Sequence, residues 1–491
     1  MSVTASPPAS ILPGLESLRQ SFGGRLITEA TELAPFLIDW RRRYVGRALA
    51  AALPDTTEDV AAVVRWCAGH QVAVVPQGGN TSLAGAATPD GSGRTIVLSL
   101  ARMKRIRKID TVNNTITVEA GCTLAELREA AHAAQRLFPL SLASEGTCTV
   151  GGNLSTNAGG VAVLRYGNAR ELCLGLEVVT AAGEVWPGLR GLRKDNTGYD
   201  LRDLFIGAEG TLGVITAATM RLYPRPAAQI TAMVAVEDPS AALRLLGMAQ
   251  SALGASLTAF ELMSNLCIEL VLEHFPGCRR PFVRPSPFYV LLETSDSEGE
   301  AHANASFESL MERALEAGVA HDAVVATSGT QSRALWALRE LISEAQALTG
   351  KNIKHDVAVA ISSIADFIEQ VGAQLTQRCP GIRVVVFGHL GDGNLHYNVS
   401  PPADRSGPQY EEEFLAMQAA INRLVHDAVA AFDGSISAEH GLGQLRRDEV
   451  TRYKSPVEMA LMRQVKQALD PLGIMNPGKV LASQATIVGA P

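Results

Sequence analysis

Three stretches of this chain combine glycine with asparagine, threonine and serine, and the fold must accommodate each of them as a tight loop. They are PQGGNTSLAG at 76–85, GTCTVGGN at 146–153 with NAGG at 157–160, and IGAEGTLGVI at 206–215. Glycine allows the backbone to approach a ligand closely, and exposed N–H groups with small hydroxyls can hold a pyrophosphate. Each stretch alone is more often a simple turn. None matches the GxGxxG fingerprint between a strand and a helix, so an NAD-binding Rossmann domain is not supported.

The length and charge of the chain limit the class of protein. Its 491 residues are too many for one hydrophobic core, so two or three domains are expected. The net charge of −7 disfavours a nucleic-acid partner. No apolar run reaches about 18 residues, so no transmembrane segment is expected. The first 14 residues, MSVTASPPASILPG, lack the basic and apolar regions of a signal peptide.

The cysteines indicate a reducing compartment. There are seven, an odd number, and none stands in CxxC spacing. Reduced thiols in a cytoplasmic protein fit this pattern better than disulfides or a zinc finger.

Helices and strands alternate in the first half, which predicts an α+β or α/β arrangement. A helix is expected at 57–71 with Thr57 as a possible N-cap, and the strands are expected at 72–76, 95–98, 115–118 and 176–180. The sequence LYPRP at 222–226 interrupts both helix and sheet and predicts a boundary. Beyond it, helices are expected near 240–253, 306–317 and 456–469, and strands near 288–293 and 382–387. The predicted domains are 1–226, 227–445 and a C-terminal segment 446–491.

Donors suited to a metal ion gather in two loops of the second half. The first reads FGHLGDGNLHYN at 387–398, and the second reads SAEHGLG at 437–443. Imidazoles and a carboxylate in such loops suit Zn²⁺ or Mn²⁺, and three protein ligands leave positions open for substrate. One histidine alone would more often be an ordinary core or surface residue, but four donors in two glycine-rich loops favour a site.

A cationic cluster near residue 340 suggests recognition of an anion. A helix is expected at 336–345, on which Arg339 and Ser343 are four residues apart and face the same way. Lys354 follows shortly after. Arginine offers a fork of donors to a carboxylate, serine a hydroxyl and lysine a second cation.

In order and spacing, the glycine-rich stretches resemble the FAD-binding domain of the vanillyl-alcohol oxidase superfamily. The resemblance covers roughly 54–226 and returns at 476–479. It implies an α+β fold: a two-subdomain FAD-binding domain plus a substrate domain with an antiparallel sheet. The residues that it assigns to FAD binding are Pro76, Gly78, Gly79, Asn80, Thr81, Ser82, Gly85, Ser144, Gly146, Thr149, Gly151, Gly152, Asn157, Gly159, Gly160, Glu209, Gly213, Ile215 and Asn476.

Two positions in the first loop depart from the pattern of this superfamily. Asn80 stands where relatives with flavin attached through histidine carry that histidine, which implies non-covalent FAD. Gln77 stands where many relatives have arginine, which changes one polar contact in the loop.

The second half resembles the FAD-dependent D-2-hydroxy-acid dehydrogenases of that superfamily. The resemblance implies that His389, His396 and Glu439 bind the metal and that Asn398 and His440 contact the substrate. His440 would accept the hydroxyl proton, the metal would lower the pKa of that hydroxyl, and the hydride would pass to flavin N5. Arg339, Ser343 and Lys354 resemble the D-2-hydroxyglutarate dehydrogenase branch, where Arg, Thr and Lys hold the substrate carboxylate.

Two alternatives stay open. One is a D-lactate or glycolate dehydrogenase with the same mechanism, and the other is a flavin subunit of a larger electron-transfer complex. The electron acceptor is expected to be an electron-transfer flavoprotein, a quinone or a similar partner, and a homodimer is possible.

Overall fold

The computed structural model describes residues 12–405 and 407–482, so most of the N-terminal segment for which no signal peptide is expected lies outside the described residues. The chain divides into two compact units. Unit 1 contains the described residues up to Gly159, the segment Asn168–Pro224 and the segment from Glu439 onward. Unit 2 contains Gly160–Gly167 and Arg225–Ala438. The domain boundaries expected after residues 226 and 445 stay predictions.

The α-helices of the described chain are α1 Leu12–Ser21, α2 Ala30–Leu33, α3 Thr57–His70, α4 Leu124–Ala133, α5 Val150–Ser155, α6 Val163–Tyr166, α7 Ala169–Leu172, α8 Arg202–Phe205, α9 Pro239–Leu253, α10 Asn265–His274, α11 Glu300–Glu316, α12 Gly329–Glu340, α13 Ile342–Thr349, α14 Ile364–Arg378, α15 Pro408–Ala416, α16 Gln418–Ala431 and α17 Pro456–Leu469. No helix of the described residues is long and apolar enough to cross a membrane.

The strands are β1 Arg25–Ile27, β2 Ala50–Leu53, β3 Ala73–Gln77, β4 Thr95–Ser99, β5 Ile106–Asp110, β6 Thr115–Glu119, β7 Arg136–Leu137, β8 Cys173–Thr180, β9 Val185–Gly188, β10 Gly213–Arg221, β11 Tyr223–Pro224, β12 Ala228–Val236, β13 Leu257–Ser264, β14 Phe288–Asp296, β15 Asp322–Val325, β16 Asp356–Ala358, β17 Arg383–His389 and β18 Asn394–Ser400.

Unit 1 is built on two main sheets. The first has the order β1-β2-β4-β3 and is parallel except for β1, and the second has the order β5-β6-β10-β8-β9 and is antiparallel. Helix α3 packs its valines into the core against β3 and β4. The helix is capped by Thr56, not by Thr57 as expected. The Thr56 hydroxyl accepts the Asp59 N–H, and the Asp59 carboxylate accepts the Thr56 N–H.

Unit 2 contains a seven-stranded sheet in the order β15-β12-β14-β13-β17-β18-β16. Every pairing in this sheet is antiparallel, which confirms the α+β class and the antiparallel sheet expected for the second half. Successive side chains of a strand point to opposite faces of the sheet. His396 and Asn398 of β18 therefore share one face with Phe387 of β17, while Tyr397 points to the other.

The two faces of this sheet are covered differently. Residues of α10, α12 and α13 join Val385 and Phe387 in an apolar core on the face that carries His396. On the other face, Tyr397 packs edge-on against Phe367 of α14, with ring centroids 5.5 Å apart. Phe367 also meets Phe432. The position of β18 therefore depends on both layers of packing.

The helix expected at 336–345 is wrong in one respect, because α12 ends at Glu340 and α13 begins at Ile342. Across the junction, Leu341 N–H bonds to Ala337 and Ala345 N–H bonds to the Leu341 carbonyl. Leu338 and Ile342 are both buried in the same apolar core, so tertiary packing outweighs helical continuity here. Arg339 is buried and Ser343 is exposed, so the two residues expected on one helix face differ in their access to solvent.

Phe367→Ala is expected to lower the free energy of unfolding by about 3–5 kcal/mol, because it removes a fully buried ring and leaves a cavity. Phe367→Leu should cost much less, since it retains most of the volume. Urea unfolding followed by circular dichroism measures both. Val283→Ala, at a side chain that is 98% exposed, should stay within about 0.5 kcal/mol of the parent. An equal loss in all three variants would contradict the assigned role of Phe367.

Candidate active site

The first two glycine-rich stretches pack directly against each other in unit 1. A Cβ added at Gly78 would lie 2.3 Å from the Thr149 hydroxyl, and one at Gly79 would lie 1.9 Å from the Thr147 carbonyl oxygen. Both positions therefore need glycine because of chain packing, independently of any ligand. Thr149 caps α5, and its hydroxyl accepts the Gly152 N–H.

The third glycine-rich stretch, 206–215, and the C-terminal segment 476–479 contact each other in unit 1. The Asn476 amide donates to the Glu209 carbonyl at 2.7 Å and to the Ala86 carbonyl at 3.0 Å. The Glu209 carboxylate accepts the N–H groups of Leu442 at 2.8 Å and Gly443 at 2.9 Å. The structure thus brings together stretches that lie hundreds of residues apart in the chain.

The Glu209 carboxylate is buried, and burial raises its pKa to about 7 although the two backbone donors oppose that shift. Its side chain holds the 442–443 peptide groups in place. The assignment of Glu209 to FAD binding stays a prediction, as do the other cofactor assignments.

The remaining residues expected to bind FAD lie in loops, in helix α5 and in strands β3 and β10. Asn80 has a left-handed backbone with φ of 53°, and its amide donates to the Ile38 carbonyl at 2.8 Å. Gln77 donates to the Phe36 and Ala87 carbonyls. The other placements are Pro76 in β3; Thr81, Ser82 and Gly85 in the following loop; Ser144 and Gly146 before α5; Gly151 and Gly152 in α5; Asn157 and Gly159 after it; Gly160 in the segment of unit 2; and Gly213 and Ile215 in β10.

In unit 2, a buried carboxylate joins two of the expected site residues. Glu261 of β13 stands opposite His389 of β17 in the sheet register. His389 Nδ1 lies 2.6 Å from Glu261 Oε1, and Arg339 Nε donates to Glu261 Oε2 at 2.8 Å. The guanidinium carbon of Arg339 lies 4.9 Å from the centroid of the Phe387 ring.

The Glu261 carboxylate is ionised at neutral pH. Burial alone would raise its pKa, but His389 and Arg339 lower that pKa to about 2. The charge of Glu261 therefore offsets that of Arg339. Sequence reasoning missed Glu261, although a single carboxylate in the apolar stretch LTAFELMS was a usable signal.

His396 and Asn398 lie on the same sheet face as this cluster. The His389 and His396 rings have centroids 6.0 Å apart, and the His396 ring is 4.8 Å from that of Phe387. Asn398 Oδ1 accepts the His355 N–H at 3.2 Å, and its Nδ2 donates to Gln346 Oε1 at 2.8 Å.

Gln346 is a second residue that sequence reasoning missed. It lies on α13 and is 1% exposed. The His355 N–H requires an acceptor, so the atom of Asn398 that it meets is Oδ1, and Nδ2 of the same amide points to Gln346. Because Nδ2 is a donor, the atom of Gln346 that it meets is Oε1, and Gln346 Nε2 lies on the other side of that amide. Among the described residues, this buried Nε2 has no hydrogen-bond partner.

The other expected residues are less enclosed. Lys354 is half-buried just before β16, and Ser343 is exposed on α13. Glu439 and His440 are half-buried and begin the last segment of unit 1. Ala438, the residue before Glu439, donates its N–H to the Asp356 carbonyl of β16 at 3.3 Å.

Two family models match the chain. The model described as "FAD linked oxidases, C-terminal domain" matches residues 225–480, and the model described as "FAD binding domain" matches residues 48–187.

Similar proteins match nearly the full length. A D-2-hydroxyglutarate dehydrogenase of Xanthomonas citri pv. viticola is 40% identical over 95% of this chain and 97% of its own. A mitochondrial D-2-hydroxyglutarate dehydrogenase of Bos taurus is 40% identical over 96% of this chain and 84% of its own. One of Stutzerimonas stutzeri is 37% identical over 94% of this chain and 97% of its own.

Solved structures share the fold. p-Cresol methylhydroxylase with substrate bound has a TM-score of 0.75 at 18% identity, covering 98% of both chains. 4-Ethylphenol oxidase from Gulosibacter chungangensis has a TM-score of 0.74 at 18% identity, covering 98% of this chain and 99% of its own. The fold expected from the glycine-rich stretches is thereby confirmed. Because the C-terminal domain model covers more than half of the chain and relatives are 40% identical along almost all of its length, the chain belongs to the FAD-linked oxidases, in the family of the D-2-hydroxyglutarate dehydrogenases.

Proposed function

We propose that this chain oxidises a D-2-hydroxy acid with a second carboxylate, foremost D-2-hydroxyglutarate, to the corresponding 2-oxo acid. The observation that carries the proposal is that the buried guanidinium of Arg339 and the imidazole of His389 share the carboxylate of Glu261. Arg339, a cation for an anionic substrate, and His389, a ligand for a metal, are therefore held next to each other by one carboxylate. The names of the relatives support this substrate class.

The second carboxylate of the substrate would be held by Arg339, Lys354 and Ser343. The Nε of Arg339 is engaged by Glu261, so the two terminal nitrogens of the guanidinium are the donors for substrate. Lys354 would add a second cation, and two cations favour a dianionic substrate over a monoanionic one. The exposed hydroxyl of Ser343 would add a neutral donor.

A divalent metal, Zn²⁺ or Mn²⁺, would be held by His389, His396 and Glu439. The donor set fits, because His389 directs its Nδ1 at a carboxylate, so Nε2 is the ring nitrogen that a metal would take. Metal-binding histidines usually show this arrangement. Glu439 follows Ala438, which is hydrogen-bonded to β16, the strand that pairs with His396.

The protein residues bind the substrate and move one proton. His440 is the proposed base for the α-hydroxyl proton. Asn398 donates one amide hydrogen to Gln346, and its second amide hydrogen would donate to the substrate. When bound, FAD supplies the acceptor for a hydride and the metal supplies a Lewis acid. The electron acceptor, a homodimer and a cytoplasmic location stay predictions.

FAD is expected to be bound non-covalently, because Asn80 offers an amide where relatives with flavin attached through histidine have that histidine. Acid precipitation of the purified yellow protein should release all of the flavin into the supernatant, where its absorbance is measured. Flavin that remains with the washed, denatured polypeptide would rule out this mode of binding.

Removal of the metal is expected to abolish turnover and leave the flavin spectrum largely unchanged, since metal and FAD use different loops. His389→Ala should reproduce the effect of chelation, and elemental analysis should show that the variant has lost its metal. His321→Ala is the matched control, because this half-exposed histidine pairs with Glu237 away from the site. Full activity in metal-free wild-type protein would contradict the metal assignment.

Lys354→Ala is expected to lower kcat/KM for D-2-hydroxyglutarate or D-malate by about ten- to a hundredfold. A charge-assisted hydrogen bond is worth roughly 1.5–3 kcal/mol, at about 1.4 kcal/mol per tenfold. The effect on D-lactate should be much smaller. Lys351→Ala, at an exposed lysine of the same segment, serves as the control. A wild-type preference for D-lactate, with all substrates slowed equally by Lys354→Ala, would favour the lactate alternative.

A further inference from the structure

Glu261 is a charged side chain in a place where the fold gives no reason for one. It lies in β13, every residue of which is buried, and its own exposure is 0%. Burying an ion costs several kcal/mol unless other groups compensate it. Here each carboxylate oxygen has its own partner, His389 on one side and Arg339 on the other.

The contact with His389 determines how that ring can act. An Nδ1–H that donates to a carboxylate fixes both the tautomer and the plane of the imidazole. Nε2 is then the nitrogen through which the ring would bind a metal. A carboxylate in this position also raises the basicity of the ring as a ligand.

The contact with Arg339 determines how the guanidinium is presented. Nε is held at 2.8 Å by Glu261, and the guanidinium carbon lies over the Phe387 ring, 4.9 Å from its centroid. These two contacts restrict the orientation of the side chain, and among the described residues Nε is the guanidinium nitrogen that donates to Glu261, so the terminal nitrogens are the donors that a substrate carboxylate would meet. A preorganised fork loses less freedom when it binds a carboxylate.

We propose that Glu261 is a positioning residue that aligns His389 toward the metal and Arg339 toward the substrate with a single carboxylate. This inference rests on the proposed function, because it assumes both the metal and an anionic substrate group at Arg339. Glu261 itself contacts neither. Its effect is transmitted through the two side chains that it holds.

The test is Glu261→Gln in the FAD-bound protein. An amide of the same shape has one acceptor oxygen, so it can serve only one of the two donors. After dialysis against chelator, Zn²⁺ is titrated in competition with a fluorescent chelator. The variant should bind Zn²⁺ about 10- to 100-fold more weakly than wild type. At saturating Zn²⁺, KM for D-2-hydroxyglutarate should rise about tenfold, equivalent to about 1.4 kcal/mol, while KM for D-lactate changes less than about twofold.

Glu293→Gln is the matched control. Glu293 lies in the neighbouring strand β14 and accepts hydrogen bonds from Thr231 and from Trp336 of α12, but it contacts neither His389 nor Arg339. A purely structural role would make both variants less stable and leave Zn²⁺ affinity unchanged. Glu293→Gln is expected to retain wild-type Zn²⁺ affinity and KM values.

Glu261→Asp covers the case in which Glu261→Gln does not fold. It keeps the charge but is one methylene shorter, so it cannot reach both partners, and it should weaken Zn²⁺ binding at least about tenfold. Zn²⁺ affinity and KM values within twofold of wild type in the folded variant would overturn the inference. Wild-type protein that binds no Zn²⁺ at all would instead overturn the metal part of the proposed function.

Discussion

A carboxylate removed from water has to be compensated by its neighbours, and in unit 2 this requirement holds three site residues together, Glu261, His389 and Arg339. Glu261 has no exposure, and its two oxygens are satisfied by side chains from β17 and α12. The strand register places Glu261 directly opposite His389, and the guanidinium carbon of Arg339 lies over the Phe387 ring. Breaking one contact would leave a buried ion partly unpaired, so the three side chains hold one another in a single arrangement.

Unit 1 obeys a different constraint, which is steric. Its first two glycine-rich loops approach so closely that a methyl group at Gly78 or Gly79 would overlap atoms of Thr149 or Thr147. Gly443 likewise leaves no room for a side chain beside the Ala84 carbonyl. The glycines that indicate a pyrophosphate site in the sequence thus also serve chain packing, which explains why glycine content alone is a weak sign of cofactor contact.

The sequence predicts those features that arise within one segment. The apolar periodicity of 57–71 predicts helix α3, although its N-cap is Thr56 and not Thr57. The loop expected at 387–398 is wrong for most of its residues, because His389 ends β17 and His396 and Asn398 lie on one face of β18. Features that depend on distant pairing could not be foreseen. Glu261 and His389 are 128 residues apart and meet only through the pairing of β13 with β17. The break at Leu341 reflects packing into a core whose members the local pattern does not reveal.

Two hydrogen bonds link the His355 backbone N–H to the Asn398 amide and the Asn398 amide to that of Gln346. Each hydrogen bond sets the orientation of the next amide, so the His355 N–H determines that the buried Gln346 atom without a partner is the donor Nε2. An aspartate at position 398 would require the Gln346 amide to turn over, because two oxygens cannot share a hydrogen bond. The buried atom that lacks a partner would then be the carbonyl oxygen of Gln346 in place of its amide nitrogen. A change of one terminal group in β18 would thus reverse the polarity that a buried side chain of α13 presents.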